Sequence, residues 1–218
     1  ITQRAAAQNT PVHIDAVQVA GKLPINFHEL GATTLAASAH KFGGPRGIGL
    51  LLARRTPAPL PLAFGGGQER GIRPGTVDVA SASALAAALR ESVEEMEEES
   101  ARLSALRDKL KAGIESSIEN VIVNSAEPTL ASHLHVSFPG TDGDSLIMLL
   151  DAAGIEASAG SACHAGVNRM SHVLEAMGID EEHGRGSLRF SLGRMTTDGD
   201  IDVVIKELPE IIRRARSV

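Results

Sequence analysis

A lysine that stands where an apolar stretch meets a glycine-rich turn is the first residue with clear chemical potential. Lys41 directly follows His40. The mostly apolar run 35–39, which contains Ser38, comes just before them, and Gly-Gly-Pro at 43–45 comes just after. Small apolar residues are typical of the end of a buried strand, and the glycines predict a turn. A desolvated lysine is a nucleophile that can form a Schiff base. A solvated lysine at a loop edge is the alternative interpretation.

The only cysteine is the second chemical candidate. Cys163 lies in a run of small residues, 157–166, and directly precedes His164. A structural cysteine usually packs among large apolar side chains, which this run lacks. A reactive thiolate needs exposure and a nearby positive or polar group, which the histidine can supply. On these residues alone, a reactive and a structural cysteine remain equally open.

Asp15 and Gln18 follow a short predicted strand at 11–14. In open α/β sheets, ligands bind at the carboxyl ends of strands. Because the strand before Lys41 returns to the same sheet, Asp15 and Lys41 can reach one crevice. Turn formation is the alternative role, since an aspartate at a strand end often accepts hydrogen bonds from nearby backbone amides.

Groups that could bind anions occur in two further segments. Arg70, Arg73 and Thr76 stand among glycines and suit an anion-binding loop, although a plain surface loop would look the same. Arg189 lies among serines on one face of a predicted strand at 186–194. An arginine in such surroundings can bind a carboxylate with two hydrogen bonds, and a solvent-facing sheet residue is the alternative.

His133 and His135 point to the same face of a predicted strand at 134–138. Their spacing permits metal ligation, but no third ligand is apparent, so the sequence favours a structural role and predicts no metal site.

These groups must be positioned by alternating strands and helices. Apolar residues at three- and four-residue steps predict one long helix over 78–118 that crosses between two domains. Further strands at 121–123 and 134–138, a helix at 144–153, and a last helix that begins at Thr197 predict a second, smaller domain.

Composition narrows the function classes. The 218 residues carry a net charge of −6, which leaves no electrostatic footprint for nucleic acid. No apolar run approaches the length of a membrane span, so no membrane partner is expected. A single cysteine suits a reducing compartment, and cytoplasm is the default location. The chain begins at Ile1 without a methionine, and we expect the natural protein to extend further toward the N-terminus.

Five stretches taken together resemble one family. They occur in a fixed order and read His13-Ile14-Asp15-Ala16-Val17-Gln18, Ser38-Ala39-His40-Lys41, Gly66-Gly67-Gln68-Glu69-Arg70 through Gly75-Thr76, Gly160-Ser161-Ala162-Cys163, and Gly186-Ser187-Leu188-Arg189-Phe190-Ser191-Leu192-Gly193. The chain resembles the C-terminal portion of a cysteine desulfurase of the NifS/IscS type. That family belongs to the class V aminotransferases, which are pyridoxal-phosphate (PLP) enzymes of the aspartate-aminotransferase fold.

The resemblance implies roles for the cofactor-binding residues. The lysine that matches Lys41 holds PLP as a Schiff base, and the aspartate that matches Asp15 pairs with the pyridinium nitrogen. Gln18 would bind the phenolate oxygen of the ring. Ser38 and His40 would hold the phosphate, and His40 counts with Lys41 among the catalytic groups.

The remaining roles concern substrate and sulfur. Thr76 would reach the site of the other subunit in a homodimer, Arg189 would bind the substrate carboxylate, and Cys163 would take the sulfur as a persulfide. The implied reaction converts L-cysteine to L-alanine, and a scaffold or other acceptor protein then receives the sulfur for iron–sulfur clusters or other thio-cofactors.

The resemblance also implies an α/β fold of fold-type I. Residues 1–95 would form the rest of a large PLP-binding domain with a mixed sheet, and residues 96–218 a smaller α+β domain that carries Cys163. A selenocysteine lyase uses the same site residues and is an alternative.

Departures from the family pattern leave one further alternative. The family's N-terminal half supplies further cofactor-binding residues that the chain lacks, Pro74 replaces a usual serine, and Ala159 stands where a hydroxyl residue is common. An incomplete fragment that only dimerises or binds a partner is therefore the other alternative.

Overall fold

The structure of the protein is a computed structural model that describes residues 1–159 and 170–217. The chain divides into two compact units, unit 1 (Ile1–Glu97) and unit 2 (Glu98–Val218). Within the described ranges we find no helix whose length and apolar character would suit a membrane span.

Unit 1 is built around a small mixed sheet. Strand β2 lies between β1, which runs parallel to it, and β3, which runs antiparallel. The strands are β1 (His13–Asp15), β2 (Thr34–Ser38) and β3 (Gly49–Ala53), the helices are α1 (Thr2–Ala6), α2 (Phe27–Leu30) and α3 (Val79–Glu94), and short 3₁₀ segments cover Ala39–Phe42 and Glu69–Gly71.

The core of unit 1 is made mostly of small side chains. Ala37 and Ala39 pack with Ala20, Phe42 and Leu85, which brings the start of the 3₁₀ segment against α3. Several large apolar side chains elsewhere in the unit are exposed, and Leu51 on β3 keeps 48% of its surface open.

Unit 2 contains an antiparallel sheet in the order β4-β5-β7-β6. Its strands are β4 (Ile122–Val123), β5 (His133–Ser137), β6 (Ser158–Ala159) and β7 (Ser187–Ser191), and its helices are α4 (Met96–Ser117), α5 (Gly143–Ala152), α6 (His172–Ala176), α7 (Glu181–Gly184) and α8 (Asp198–Ala215).

One face of this sheet is fully apolar and the other carries polar groups. Leu134, Val136, Leu188 and Phe190 are buried against the apolar sides of α4, α5 and α8. Because successive side chains on a strand point to opposite faces, Arg189 and its neighbours on β5 lie on the other face. The core of unit 2 therefore determines which side chains its polar face presents.

Arg102 fastens α4 to the end of the strand that carries Arg189. Its guanidinium donates to the carbonyl oxygens of Thr196 at 2.7 Å and Gly193 at 3.1 Å, and it pairs with Glu99 at 2.8 Å. The C-terminal side of β7 is thus held in place by a charged side chain as well as by apolar packing.

The prediction of one helix over 78–118 is wrong. Helix α3 ends at Glu94 and α4 begins at Met96. Between 94 and 99 every residue except Met96 is a glutamate, and like charges at three- and four-residue spacing destabilise a helix. A break at Glu95 relieves this repulsion. Because the apolar periodicity continues on both sides of Glu95, the periodicity alone does not reveal the break.

Candidate active-site residues

Asp15 and Ser38 end two parallel neighbouring strands at the same edge of the sheet in unit 1. The β1–β2 register aligns Asp15 with Ala36, so Ser38 lies two residues further along the same direction. Asp15 is exposed, and its Oδ1 accepts a hydrogen bond from the Val17 amide at 2.9 Å. The carboxylate of Asp15 therefore stabilises the turn, as the alternative interpretation expected. The same hydrogen bond orients the side chain at a strand end, where a ligand can also reach it.

Lys41 lies in the 3₁₀ segment that directly follows β2. Ala39 and Phe42 are buried and anchor the segment, which leaves His40 and Lys41 exposed. His40 Nδ1 lies 2.8 Å from the Ser38 hydroxyl oxygen, a hydrogen bond that links the strand end to the segment. Buried anchors thus present the amine and the imidazole on one side of a single turn.

Gly44 closes this segment because no side chain fits there. Its amide donates to the Ala39 carbonyl oxygen at 2.9 Å. A Cβ atom at this position would lie 2.9 Å from the Ala39 Cβ, closer than packed carbon atoms approach. Glycine at position 44 is therefore required by this close approach to Ala39.

Lys22 is a neighbour of Lys41 that sequence analysis missed. Gly21 packs against Phe42, since a Cβ atom added to Gly21 would lie only 3.1 Å from the Phe42 Cβ. Lys22 follows Gly21 and Lys41 precedes Phe42, so the two lysines are close in space. Burial, and then the charge of Lys41, lower the pKa of Lys22 below its ordinary value. The run Gly-Lys-Leu-Pro looks like an ordinary surface turn, and only the fold shows the proximity of the two amines.

Gln18 and Thr76 are exposed in the same unit. Gln18 lies in the turn after β1, close in sequence to Asp15. Thr76 follows Gly75, whose amide donates to the Gln68 side-chain oxygen at 3.2 Å. Arg70, in the short segment before Thr76, has a φ of 59°, an uncommon backbone conformation for a non-glycine residue. The structure thus gathers Asp15, Gln18, Ser38, His40 and Lys41 around one sheet edge, with Thr76 on a separate folded loop.

Arg189 lies on the polar face of the sheet in unit 2, at the centre of β7. It is paired in register with His135 of β5 on one side and with Ser158 of β6 on the other. Its Nε is buried and has no hydrogen-bond partner among the described residues. A buried donor without an acceptor costs free energy, so this nitrogen is suited to an anionic ligand.

His135 is hydrogen-bonded within the polar face. The Asn124 amide nitrogen lies 3.0 Å from His135 Nδ1 and also donates to the Ser137 hydroxyl oxygen at 2.8 Å. Burial, and then the charge of Arg189, lower the pKa of His135. His133 bonds elsewhere, with its Nδ1 2.8 Å from the Ser132 hydroxyl oxygen. In the described ranges no three His, Cys, Asp or Glu side chains come together as a metal site.

Cys163 and His164 lie outside the described residues, which stop at Ala159 and resume at Met170. The reactive role of the cysteine stays a prediction. Ala159, the departure that precedes this stretch, is in β6 and pairs with Leu188.

Comparison with known proteins finds a matching family and several similar proteins. A model of the family described as Aminotransferase class-V matches residues 1–204. The IscS-like cysteine desulfurase of Mycobacterium tuberculosis is 50% identical over 208 residues, which cover 94% of this chain and 53% of that protein. The chain spans about half the length of the curated relatives it matches.

Solved structures give the same result for the fold. A NifS-like protein from Rickettsia africae matches with a TM-score of 0.86 and 28% identity, over 97% of this chain and 56% of that one. A second NifS-like protein matches with a TM-score of 0.85 and 36% identity, over 95% and 53%. These likenesses confirm the predicted α/β fold class and the predicted resemblance to the NifS/IscS type.

Proposed function

The chain belongs to the aminotransferase class-V family, and on that premise we propose that it is part of a PLP-dependent cysteine desulfurase. The observation that carries the proposal is the sheet edge of unit 1, where Asp15, Ser38 and the exposed pair His40 and Lys41 lie at the ends of adjacent parallel strands. Relatives named cysteine desulfurase point to the same activity.

The residues at this edge match the chemistry of PLP group by group. The exposed carboxylate of Asp15 suits a protonated ring nitrogen, and the amine of Lys41 suits an aldehyde. The Ser38 hydroxyl and His40, linked at 2.8 Å, suit a phosphate, with the amines of Lys22 and Lys41 to balance its charge. Gln18 would donate to the phenolate oxygen. When bound, PLP supplies an electron-withdrawing ring that stabilises negative charge on the substrate.

The chain's own groups would then act on L-cysteine. Asp15 holds a proton on the ring nitrogen, Lys41 removes the proton from the substrate α-carbon, and Arg189 binds the α-carboxylate through its guanidinium. The thiolate of Cys163 attacks the substrate sulfur, so that an S–S bond forms while the Cβ–S bond breaks. The electron pair of the broken bond remains on Cβ, which takes a proton, and the α-carbon regains the proton held by Lys41. Alanine then leaves, and the persulfide remains on Cys163.

The proposal extends to the whole protein. Residues 1–95 belong to the PLP-binding domain and residues 96–218 to a small domain with Cys163. Thr76 serves the site of a second subunit in a homodimer, and an acceptor protein takes the sulfur from Cys163 for iron–sulfur clusters or other thio-cofactors. A cytoplasmic location is part of the proposal and is supported by the lone cysteine, which suits a reducing compartment.

Two measurements on the full-length protein test this function. Added PLP should produce visible absorbance that borohydride fixes to a peptide containing Lys41, and a K41A variant should show neither signal. With L-cysteine and dithiothreitol, which reduces the persulfide, alanine and sulfide should form in equal amounts. A C163S variant should keep the absorbance but release no sulfide, because the persulfide cannot form.

Three outcomes would contradict parts of the proposal. Label on another lysine would remove Lys41 from its role. Loss of absorbance in C163S would give the cysteine a part in cofactor binding. A rate with L-selenocysteine far above that with L-cysteine would replace the desulfurase by a selenocysteine lyase.

A further inference from the structure

The polar face of unit 2 contains a row of side chains that runs across four neighbouring segments of the sheet. Asn124 follows β4, and its backbone N–H donates to the His135 carbonyl oxygen at 2.9 Å. His135 is paired in register with Arg189, and Arg189 is paired in register with Ser158. Directly opposite residues on antiparallel strands have Cβ atoms about 4.5–5.5 Å apart, so the imidazole and the guanidinium stand side by side.

The row has one cation and a buried donor without an acceptor. Among the described residues, the charge that acts on His135 is that of Arg189 across the strand pair, and His133 lies on the same face of β5. Arg189 Nε is buried and has no partner in the described part of the chain. An anion placed beside this nitrogen would both accept its hydrogen bond and offset its charge.

In the absence of an anion, the surroundings of His135 favour the neutral form of its imidazole. With the side-chain nitrogen of Asn124 directed at it, His135 Nδ1 accepts a hydrogen bond at 3.0 Å, which a neutral ring with its proton on Nε2 permits. Burial, and then the charge of Arg189, lower the pKa of His135. A bound anion would counter the charge of Arg189 and so remove one of the two causes that keep the imidazole neutral.

The side-chain amide of Asn124 can form a hydrogen bond with either the neutral or the protonated imidazole of His135. Its Oδ1 is buried without a hydrogen-bond partner among the described residues, and amide oxygen and nitrogen exchange places when the group turns over. After that rotation the oxygen would accept from a protonated His135 Nδ1 and from the Ser137 hydroxyl, which can donate as well as accept. Protonation of the imidazole thus requires no movement of the backbone.

We propose that His135 and Arg189 together form a proton-linked carboxylate site, in which His135 takes up a proton when the anion binds. This inference rests on the proposed function, which assigns the substrate carboxylate to Arg189. His135 then acts as a positioning residue that adds a second positive charge only while substrate is present. The free enzyme avoids two adjacent cations, and the bound carboxylate faces both.

The sign of the pH dependence follows from linkage. Since the anion favours protonated His135, affinity for a carboxylate rises as the pH falls through the bound-state pKa and levels off below the lower, free-state pKa. Each unit of separation between the two values corresponds to about a tenfold change in affinity.

The experiment uses the PLP-loaded enzyme with ¹³C-labelled histidine, and propionate as an unreactive carboxylate probe. His135 is assigned as the NMR signal that disappears in an H135N variant, and its titration is followed from about pH 5 to about pH 8, where histidines change charge. Saturating propionate should raise the pKa of His135 by about one unit and make propionate bind about tenfold more tightly at the acid end. The neutral isostere propionamide should not raise the pKa of His135, and its affinity should not increase at the acid end.

Variants separate the proposed pair from its surroundings. H135N should bind propionate with an affinity that no longer depends on pH in this range. H133N, which removes the other imidazole on the same face of β5, should keep the wild-type dependence. In R189Q the His135 titration should move to higher pH without ligand, because the repelling charge is gone, and propionate should no longer shift it.

The outcomes distinguish this inference from the function it rests on. If propionate binds equally well at every pH and the His135 titration does not move, the proton-linked site is wrong, and the desulfurase stands as long as L-cysteine still yields alanine and sulfide. If the His135 titration moves as expected but L-cysteine yields no sulfide, the desulfurase is wrong and the carboxylate site stands. Absence of propionate binding overturns the site.

Discussion

The two units support their candidate site groups in different ways. In unit 2, Arg189 and His135 alternate along their strands with fully buried apolar side chains that pack against three helices. In unit 1, Asp15, Ser38 and Lys41 are positioned by a turn and a 3₁₀ segment above a cluster of three alanines, one phenylalanine and one leucine. Polar groups are thus ordered by a large core in one unit and by tight backbone contacts in the other.

This difference indicates where each set of groups is vulnerable. A strand on a deep core keeps its side chains in place against local changes, but it depends on every large core residue. A tight turn depends on the absence of side-chain volume at a few positions. The same kind of substitution should therefore have unequal effects in the two units.

The largest difference is expected for leucine truncation. Leu188 lies next to Arg189 in β7 and is fully buried, whereas Leu51 on β3 is 48% exposed. L188A should lower the free energy of unfolding by about 2–5 kcal/mol because it leaves a cavity, and L51A by under about 1 kcal/mol. Urea denaturation followed by circular dichroism measures both. Equal losses would show that the β3 face is covered in the whole protein and would break the comparison.

A smaller effect is expected from volume added to the turn after Lys41. In G44A the new Cβ would meet the Ala39 Cβ at 2.9 Å and the Ala39 carbonyl oxygen at 3.1 Å. Overpacking of this kind costs about 1–3 kcal/mol, and the shift of the turn should weaken PLP binding, measured by absorbance titration. The control is G67A in the same unit, where no atom lies within 4 Å of the added carbon. Unchanged cofactor affinity in G44A would mean that the turn does not position Lys41.

Helix caps should not distinguish the two units. Thr197 and Asp200 form a reciprocal capping box at α8, and Asp78 accepts from the Ser81 amide at 3.0 Å at the start of α3. T197A and D78A should each cost about 1 kcal/mol of unfolding free energy, since each leaves a helix amide unpaired. Circular dichroism during urea denaturation tests this. A cost several times larger in one unit would show that its caps carry tertiary contacts as well.

The smallest effect is expected at Lys22. A lowered folded-state pKa means that the unfolded chain binds more protons, so stability should rise with pH between the lowered value and the ordinary 10.5. K22M keeps the length of the side chain and removes this penalty. It should gain under about 1 kcal/mol at neutral pH, because water screens a half-buried charge, and its stability should vary less with pH above neutrality. Loss of stability in K22M would mean that the ammonium group has a favourable partner.

Much of the fold follows from local patterns in the sequence. Alternation in 187–191 assigns Leu188 and Phe190 to the core and Arg189 to the opposite face, and the structure confirms it. Thr197 with the acidic residues after it predicts the start of α8, and the capping box confirms that start. Apolar periodicity could not reveal the break at Glu95, because the stripe resumes in α4 and charge repulsion leaves no trace in hydrophobicity.

The amino-acid sequence by itself determined the residue types and their order: a lysine at a strand end, an aspartate after an earlier strand, an arginine among serines, and a motif set specific enough to indicate the family. Only the tertiary structure decided which groups are neighbours. Strand pairing set His135 beside Arg189, and the packing of Gly21 on Phe42 brought Lys22 to Lys41. Register and packing join residues far apart in the chain, so the charges that shift a pKa or bind an anion become visible only once the chain is folded.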